Sequence, residues 1–497
     1  MGSNWQELTI GDVCYVTDGA HSKVDRVPMG VMYLTSKNIS NGTLKLENFD
    51  YISEESHIKL FTDTNRAQRK LRVGDVLMGI IGTFGNCYVY SENDHFGISS
   101  SVAILRANQD ILIPEYLYYV ISSEKFKSIV EKYKGGSVQG YTNVSTIKAL
   151  PISIPSVDEQ RKIVKLLLPN DKKIELNKQT NQTLEKMAQT LFKSWFVDFD
   201  PVFDNALAKA DFNLEALPSA WPEALLQRAT SRLQVLQHNP ALQAKLTQPN
   251  QAETENNTAP EQISQAENTH QHFPSEFEPT DEPSIGINSW IPKGWSPVNF
   301  ESLINLTGGG TPKTSVEEYW NGDIPWFSVV DAPNDSDVFV IETDKHVTQL
   351  GVDKSSTKIL RSGTTIISAR GTVGKCALVA GPMAMNQSCY GINGKNDISD
   401  EFIYFLTRYQ VADLQKRGHG SVFNTITRET FKSIILPFSG ELLTNEFSKI
   451  VSLLFEKVLN NNMQNIELTK LRDTLLPKLI SGELQIPDDT IVTAKEA

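Results

Sequence analysis

The chain has 497 residues, more than one ordinary domain holds, which predicts two to four domains. Its composition, 40% hydrophobic and 21% charged, is that of a soluble globular protein, and no apolar run approaches the ~20 residues needed to cross a bilayer. A net charge of −12 argues against a strongly polyelectrolyte nucleic-acid binder, but residues 203–290 alone carry twelve acidic and four basic side chains, which leaves the remainder close to neutral.

The start, "MGSNWQELTI", has no basic opening followed by an apolar core, so no secretory leader is expected. Residues 76–81 form a short, β-branched-rich apolar run and predict a strand, which leads into the turn "GTFGNC" (82–87). "YLYYVISSEKFKSIVEKY" (116–133) has apolar residues at three- and four-residue steps and predicts a helix. A longer helical stripe follows, through Ile163, Leu167, Leu184, Met187 and Leu191, with Pro169 expected to kink or break it. "PEALLQRATSRLQVLQ" (222–237) predicts an isolated amphipathic helix, and the polar stretch 247–272 predicts disorder. The four cysteines (Cys14, Cys87, Cys376, Cys389) form no CxxC pair, and the histidines show no HExxH or HxxxH spacing. Free thiols in a reducing cytoplasm are expected, with no disulfide framework and no metal site.

From residue 295 the pattern begins again. "LRVGDVLMGIIGTFGNC" (71–87) aligns without a gap on "LRSGTTIISARGTVGKC" (360–376), "PEYLYYV" (114–120) on "DEFIYFL" (400–406), and "QRKIVKLL" (160–167) on "FSKIVSLL" (447–454). "NQTLEKMAQTLF" (181–192) matches "NIELTKLRDTLL" (465–476), whose stripe runs through Leu468, Leu471, Leu475 and Leu479. The matches are collinear at a nearly constant offset, so the chain is a duplicated unit, each copy an α/β part followed by a long helix. A helix of ~36 residues is ~54 Å long, more than the α/β part needs for its own core.

Enzyme motifs are missing. Gly374-Lys375 is followed by Cys376 rather than Ser or Thr, and Ala369 stands where a Walker A loop needs its first glycine. GxGxxG, GxSxG and the Asn/Asp-Pro-Pro-aromatic tetrapeptide of amino-methyltransferases are also absent. "DFDP" (198–201) has carboxylates two apart, but its partner "SGEL" (481–484) keeps only one, Glu483, so Asp198 and Asp200 are expected to be solvated rather than metal-binding. The copies do share polar loops at matching places: "DGAHSK" (18–23) with "GGGTPK" (308–313), "LTSKN" (34–38) with "FSVVD" (327–331), "GISSS" (97–101) with "NQSCY" (386–390), and "GGSVQGYTN" (135–143) with "GHGSVFNT" (418–425). A constant frame with different polar loops suits a duplicated reader whose copies read different things. Such residue types contact base edges and phosphates. A fused nuclease or methyltransferase with unrecognised motifs and a protein-binding scaffold are the competing readings.

Several stretches resemble the specificity subunit of type I restriction–modification enzymes: "DGAHSKVDRVPMGVMYLTSKNI" (18–39), "TGGGTPKTSVEEYWNGDIPWFSVVD" (307–331), "IPSVDEQRKIV" (154–164), "LFKSWFVDFDPV" (191–202), "FPSEFEPTDEPSIGINSWIPKGW" (273–295) and "LLPKLISGEL" (475–484). Residues 203–272 and Ala20 depart from the family pattern. The resemblance implies an α+β chain of two tandem α/β target recognition domains, each followed by a long helix, with the two helices packed as an antiparallel coiled coil. The expected organisation is a first recognition domain (1–157), a central helical spacer (158–202), a polar, partly disordered bridge (203–290), a second recognition domain (291–442), a C-terminal spacer (443–486) and a tail (487–497).

The resemblance further implies a non-catalytic, cytoplasmic subunit that recognises an asymmetric, bipartite target in double-stranded DNA. It would dock two methylation subunits and two restriction (motor-nuclease) subunits, on which S-adenosylmethionine, ATP and Mg would bind. Candidate DNA contacts are His21, Lys23, Lys37, Asn38, Asn86, Gln139 and Asn143 in the first copy, and Thr311, Lys313, Asp331, Arg370, Lys375, Gln387 and Asn424 in the second. Candidate partner contacts are Leu184, Met187, Leu191, Trp195, Phe196, Leu468, Leu471 and Leu475. For "GTFGNC" and "GTVGKC" two uses stay open: backbone amides at a DNA phosphate, or a turn that only packs the sheet.

Overall fold

A computed structural model describes residues 5–21, 24–65, 67–82, 85–133, 143–247, 266–333, 337–418 and 425–487. The chain divides into two compact units. The first joins residues 1–176 to 463–497, and the second spans 177–462. No described helix is long and apolar enough to cross a membrane.

In the first unit, Val76–Gly79 is wholly buried, as its unbroken apolar sequence demands. It pairs antiparallel with Val102–Ala107 on one side and Cys87–Val89 on the other, and Cys14–Asp18 completes a four-stranded sheet. Side chains alternate across a strand. Val76 and Met78 accordingly join a core with Tyr116, Leu117 and Ile121 of the helix Pro114–Ser122. Leu77 faces the other way, into a core with Val31, Tyr33 and Leu34. Those residues belong to a second sheet in the order Asp50–Ile52, Val31–Leu34, Phe96–Ile98, with the first pair antiparallel and the second parallel. The predicted helix 116–133 is two helices, Pro114–Ser122 and Glu124–Tyr133, because the Ser123 hydroxyl accepts from Phe126 N (3.2 Å) and starts the second.

The second unit repeats this order strand for strand. Ile304–Gly308, Cys389–Gly394, Thr365–Ser368 and Cys376–Val379 form the same sheet, extended by Phe339–Val340. The order His346–Val347, Trp320–Phe327, Ala384–Met385 repeats the second sheet, again antiparallel and then parallel. Ile367 and Ile366 point into different cores, as their first-copy counterparts do. The duplication inferred from sequence is thus present as matched topology.

Each α/β part is closed by pairing its first strand with its last: Gln6–Thr9 with Pro151–Ile154, and Ser296–Asn299 with Ile435–Phe438. A 40-residue helix follows each closure, Val157–Phe196 and Glu441–Ile480. The expected break at Pro169 does not occur, and the helix continues through it. Gln160 of the "EQ" stretch is fully buried. It donates to Ile111 O (2.9 Å) and Pro155 O (3.0 Å) and accepts from Ile113 N (2.9 Å), fixing the helix start to its domain.

Within the second unit the two long helices touch through a buried amide pair. Asn461 Nδ2 donates to Asn181 Oδ1 (2.8 Å), and Asn181 Nδ2 donates to Asn462 Oδ1 (2.6 Å). Asn181→Leu removes the partners of Asn461 and Asn462 and is expected to cost about 1–3 kcal/mol. Asn181→Leu with Asn461→Leu should regain most of that loss in urea unfolding. Equal losses in the single and double variants would show that the pair carries no such energy.

The expected polar bridge is folded over its described residues. Among the described residues, 200–247 holds the helices Asp200–Lys209, Glu223–Gln237 and Pro240–Thr247, and residues 277–292 hold the hairpin Phe277–Pro279 with Trp290–Pro292. Glu223–Gln237 is not isolated. Its Leu225, Ala229, Leu233 and Leu236 share a core with Phe203, Leu207, Trp221 and Phe277. Most of the stretch predicted to be disordered, residues 248–265, lies outside the described residues. The carboxylates of "DFDP" are not simply solvated either. Arg228 lies 3.1 Å from Asp198 and 2.8 Å from Asp200. Arg232 binds both oxygens of the fully buried Asp204 (2.6 and 2.8 Å).

Candidate nucleic-acid interface

In each unit the polar loops are bound to one another by backbone hydrogen bonds. In the first, Ala20 N donates to Ile98 O (3.0 Å) and Ser100 N to Ala20 O (3.1 Å), laying residues 18–20 on loop 97–101. A Cβ on Gly19 would stand 2.3 Å from Ile98 O, so this approach requires glycine. Ser99 N donates to Leu34 O (2.9 Å), Ser36 N to Ser101 Oγ (2.9 Å), and Ser36 Oγ to Ile81 O (2.5 Å). Loop 34–38 therefore bridges the third loop and the hairpin. In the second unit, Gly310 N donates to Met385 O (3.0 Å), Asn386 N to Phe327 O (2.9 Å), and Ala369 N to Ser388 O (2.7 Å). Gly309 repeats Gly19, since a Cβ there would meet Asn386 O at 1.9 Å.

The candidate contacts fall into three groups. His21, Lys37, Lys313, Arg370 and Gln387 are exposed on the loops. Among these, His21 Nε2 is held 2.8 Å from Asp18 Oδ2, and Gln387 is hydrogen-bonded to Thr311. Asn86 and Lys375 are half-buried in the two hairpins. Lys23, Gln139 and Asn424 lie outside the described residues.

Two expectations are corrected. Asn38 is 4% exposed. Its Oδ1 accepts from Thr35 N (2.9 Å), and its Nδ2 donates to Lys45 O and Asn48 O (2.9 and 2.8 Å), so no edge is left for a base. Asp331 is its repeat partner. Its Oδ2 accepts from Ser328 N (2.7 Å) and its Oδ1 from Asp344 N (2.7 Å). Both are local backbone clamps. Asn143 is exposed and caps the helix Val144–Ala149 through its Oδ1, accepting from Thr146 N (2.9 Å).

The partner-contact set also changes. Trp195 and Phe196 are buried in this chain's own aromatic cluster with Phe192, Phe402 and Phe447. Leu184 and Leu191 pack on that core, Leu475 packs on the core of the first unit, and Leu468 is half-buried. Met187 and Leu471 remain open, 54% and 47% exposed.

The two glycine turns are hairpin loops. Gly82, Gly85, Gly371 and Gly374 all have positive φ, between 74° and 95°. A Cβ on Gly374 would stand 2.7 Å from Val411, and Gln415 Nε2 donates to Val373 O (2.8 Å), so the second turn is seated on the helix Asp400–Gly418. The cavity beside it, lined by Asp337, Lys375 and Arg408, is 170 Å³. That is below the several hundred Å³ of ordinary small-molecule sites.

Burial pushes the Cys14 and Cys389 thiols up to about 12, so neither offers a thiolate at neutral pH. Spacing along the sequence missed one potential ligand group: Glu54, His57 and His95, whose ligand atoms lie within 4.8 Å of one another. His57 stacks on Phe61 and meets His95 edge-on, and His95 and Glu54 are 3.6 Å apart.

The chain matches the family described as type I restriction modification DNA specificity domain over residues 2–186 and 292–440, the two copies of the repeat. It is 29% identical over 495 residues to the type I restriction enzyme HindI specificity subunit of Haemophilus influenzae, across 97% of this chain and 100% of that one. It is 28% identical over 199 residues to the type I restriction enzyme MjaIX specificity subunit of Methanocaldococcus jannaschii, across 40% of this chain and 45% of that one. Among solved structures, the type I restriction-modification system S subunit from M. genitalium aligns over 96% of both chains with a TM-score of 0.52 and 16% identity, a likeness of fold.

Proposed function

The chain belongs to the type I restriction modification DNA specificity domain family, and we propose that it selects an asymmetric, bipartite target in double-stranded DNA, each unit reading one half. The observation that carries this reading is a duplicated frame with unlike side chains at equivalent loop positions. Two identical readers would favour a palindrome, whereas two different ones favour an asymmetric site. The two 40-residue helices, each about 60 Å long at ~1.5 Å per residue, would pack as an antiparallel coiled coil and set the distance between half-sites.

Catalysis would reside elsewhere. Two methylation subunits and two restriction subunits would join this one in the cytoplasm and would carry S-adenosylmethionine, ATP and Mg. The exposed Met187 and Leu471 are candidate contacts for them. Base-resolved mapping of methylated sites, before and after deletion of the chain, tests the reading. Loss of methylation at a single asymmetric bipartite sequence is the expected result, and an unchanged methylation map would overturn it.

Charge predicts how the isolated chain behaves. Residues 5–156 hold fifteen basic and sixteen acidic side chains, and residues 295–440 hold thirteen and fifteen. Neither copy can neutralise many phosphates by itself, so most of the phosphate neutralisation would come from the methylating partners. The purified chain is expected to bind its target weakly and with some salt sensitivity, its affinity falling less steeply with salt than that of the full complex, because it neutralises fewer phosphates. Tight, salt-insensitive binding in a titration by fluorescence anisotropy would contradict this division of labour.

A further inference from the structure

The short 3-10 turns Ser36–Asn38 and Val329–Asp331 occupy the same place in the two copies. Each is clamped in the same way. The last residue accepts from the residue before the turn: Asn38 from Thr35 N (2.9 Å) and Oγ1 (3.0 Å), Asp331 from Ser328 N (2.7 Å) and Oγ (2.9 Å). Each is also anchored to the third loop at the same point, by Ser99 N to Leu34 O and Asn386 N to Phe327 O, both 2.9 Å. With both ends fixed, the middle residue is turned outward. It is Lys37 in one copy and Val330 in the other.

Val330 is 83% exposed, among the most exposed large apolar side chains of the described residues. Burial therefore does not explain a valine there. It is also a β-branched side chain with one stiff torsion, so holding it still costs little entropy.

We propose that this clamped turn reads a base in each copy, with Lys37 donating to a guanine of the first half-site and Val330 packing on a thymine methyl of the second. The inference rests on the DNA-selecting reading above and narrows it to one position per domain. The pairing follows the chemistry of the two side chains. A lysine ammonium can only donate, and in the major groove guanine offers two acceptors, N7 and O6. Valine has no polar side-chain atom, and thymine alone offers a methyl group on its major-groove edge. Asn38 and Asp331, the more polar residues of each turn, serve as the clamp and read nothing.

The test uses the full chain assembled with its methylating subunits and duplexes carrying the target found by methylation mapping. Each thymine of the second half-site is replaced in turn by uracil, which lacks only the methyl group. One position should weaken binding about four-fold, the equivalent of ~0.8 kcal/mol for one buried methyl group. That sensitivity should vanish in Val330→Ala. In Lys37→Ala, discrimination at one guanine of the first half-site should fall about tenfold or more, with the second half-site unchanged. A second half-site without thymine, a uracil effect that persists in Val330→Ala, or unaltered guanine preference in Lys37→Ala would each overturn the proposal. Absence of any bipartite methylated sequence would instead overturn the DNA-selecting reading beneath it.

Discussion

Exchanging residues 5–156 for the equivalent segment of a relative with a different target should replace one half of the recognised sequence and leave the other half and the spacing intact. The structure makes the exchange practicable. The segment enters and leaves through neighbouring antiparallel strands, with Gln6 opposite Ile154, so both junctions lie side by side. The second junction also precedes the helix Val157–Phe196, which stays untouched. The donor must offer an apolar surface for Ile163, Leu167, Leu476 and Leu479, which join the core of the first unit, and backbone partners for the buried Gln160 side chain in place of those at Ile111, Ile113 and Pro155. Methylation mapping of the hybrid gives the answer directly. A change in both half-sites, or in the spacing, would refute independent reading by the two copies.

The second large effect concerns stability. Asp204 is fully buried with Arg232 bound to both of its oxygens and His270 Nε2 at 3.2 Å. Asp204→Ala leaves Arg232, 17% exposed, with only the more distant Asp200 (3.8 Å), so it should destabilise the second unit by up to about 3–5 kcal/mol, the cost of breaking a buried pair. Replacing Asp204 and Arg232 together by apolar residues should restore much of it. Six of the seven tryptophans, all but Trp5, lie in residues 177–462, so tryptophan fluorescence in a urea titration reports on this unit. A loss below about 1 kcal/mol, the value of an exposed pair, would sink the argument.

The same contact gives a pH dependence. Burial alone would raise the Asp204 pKa, but the hydrogen bonds from Arg232 and His270 outweigh it and hold the carboxyl below its ordinary range. Its contribution is therefore fully present above the unfolded value of about 3.9 and is lost as the pH falls through the lower folded one. Acid unfolding of wild type should steepen below about pH 4, and Asp204→Asn should lack that component.

The duplication, the strand–turn "IIGTFGNC" and the long helices were legible because they depend on local apolar period and on self-similarity, both carried by neighbouring letters. The helix 223–237 of the bridge was legible, but its packing was not. The bridge's helices are held by Phe203, Trp221 and Phe277, brought together from distant positions, and by ion pairs such as Asp200–Arg228 that no spacing rule reveals. Asn38 and Asp331 were misassigned as readers because a polar side chain in a loop looks available until its hydrogen bonds are known. The spacing from Thr35 to Asn38 and from Ser328 to Asp331 was the signal for a clamp, since it puts the side chain of the fourth residue back on the first. Trp195 and Phe196 failed similarly: an apolar helix end needs a partner, and here the chain supplies it from Phe402 and Phe447.

The first unit is sealed by the far end of the chain, since Leu476, Leu479 and Ile480 lie in the same core as Ile10 and Val76. This has a consequence for biosynthesis. At ~5–20 residues per second, a ribosome needs about 15–60 s to traverse the intervening segment 177–462. Throughout that interval the first domain waits with one side of its core open to water. A message cut short before residue 463 would yield a polypeptide whose second unit has all its parts while the first still lacks its seal, and exposed apolar surface of that kind is what chaperones and proteases act on. Only a ribosome that completes the helix Glu441–Ile480 releases a chain in which both units are finished together.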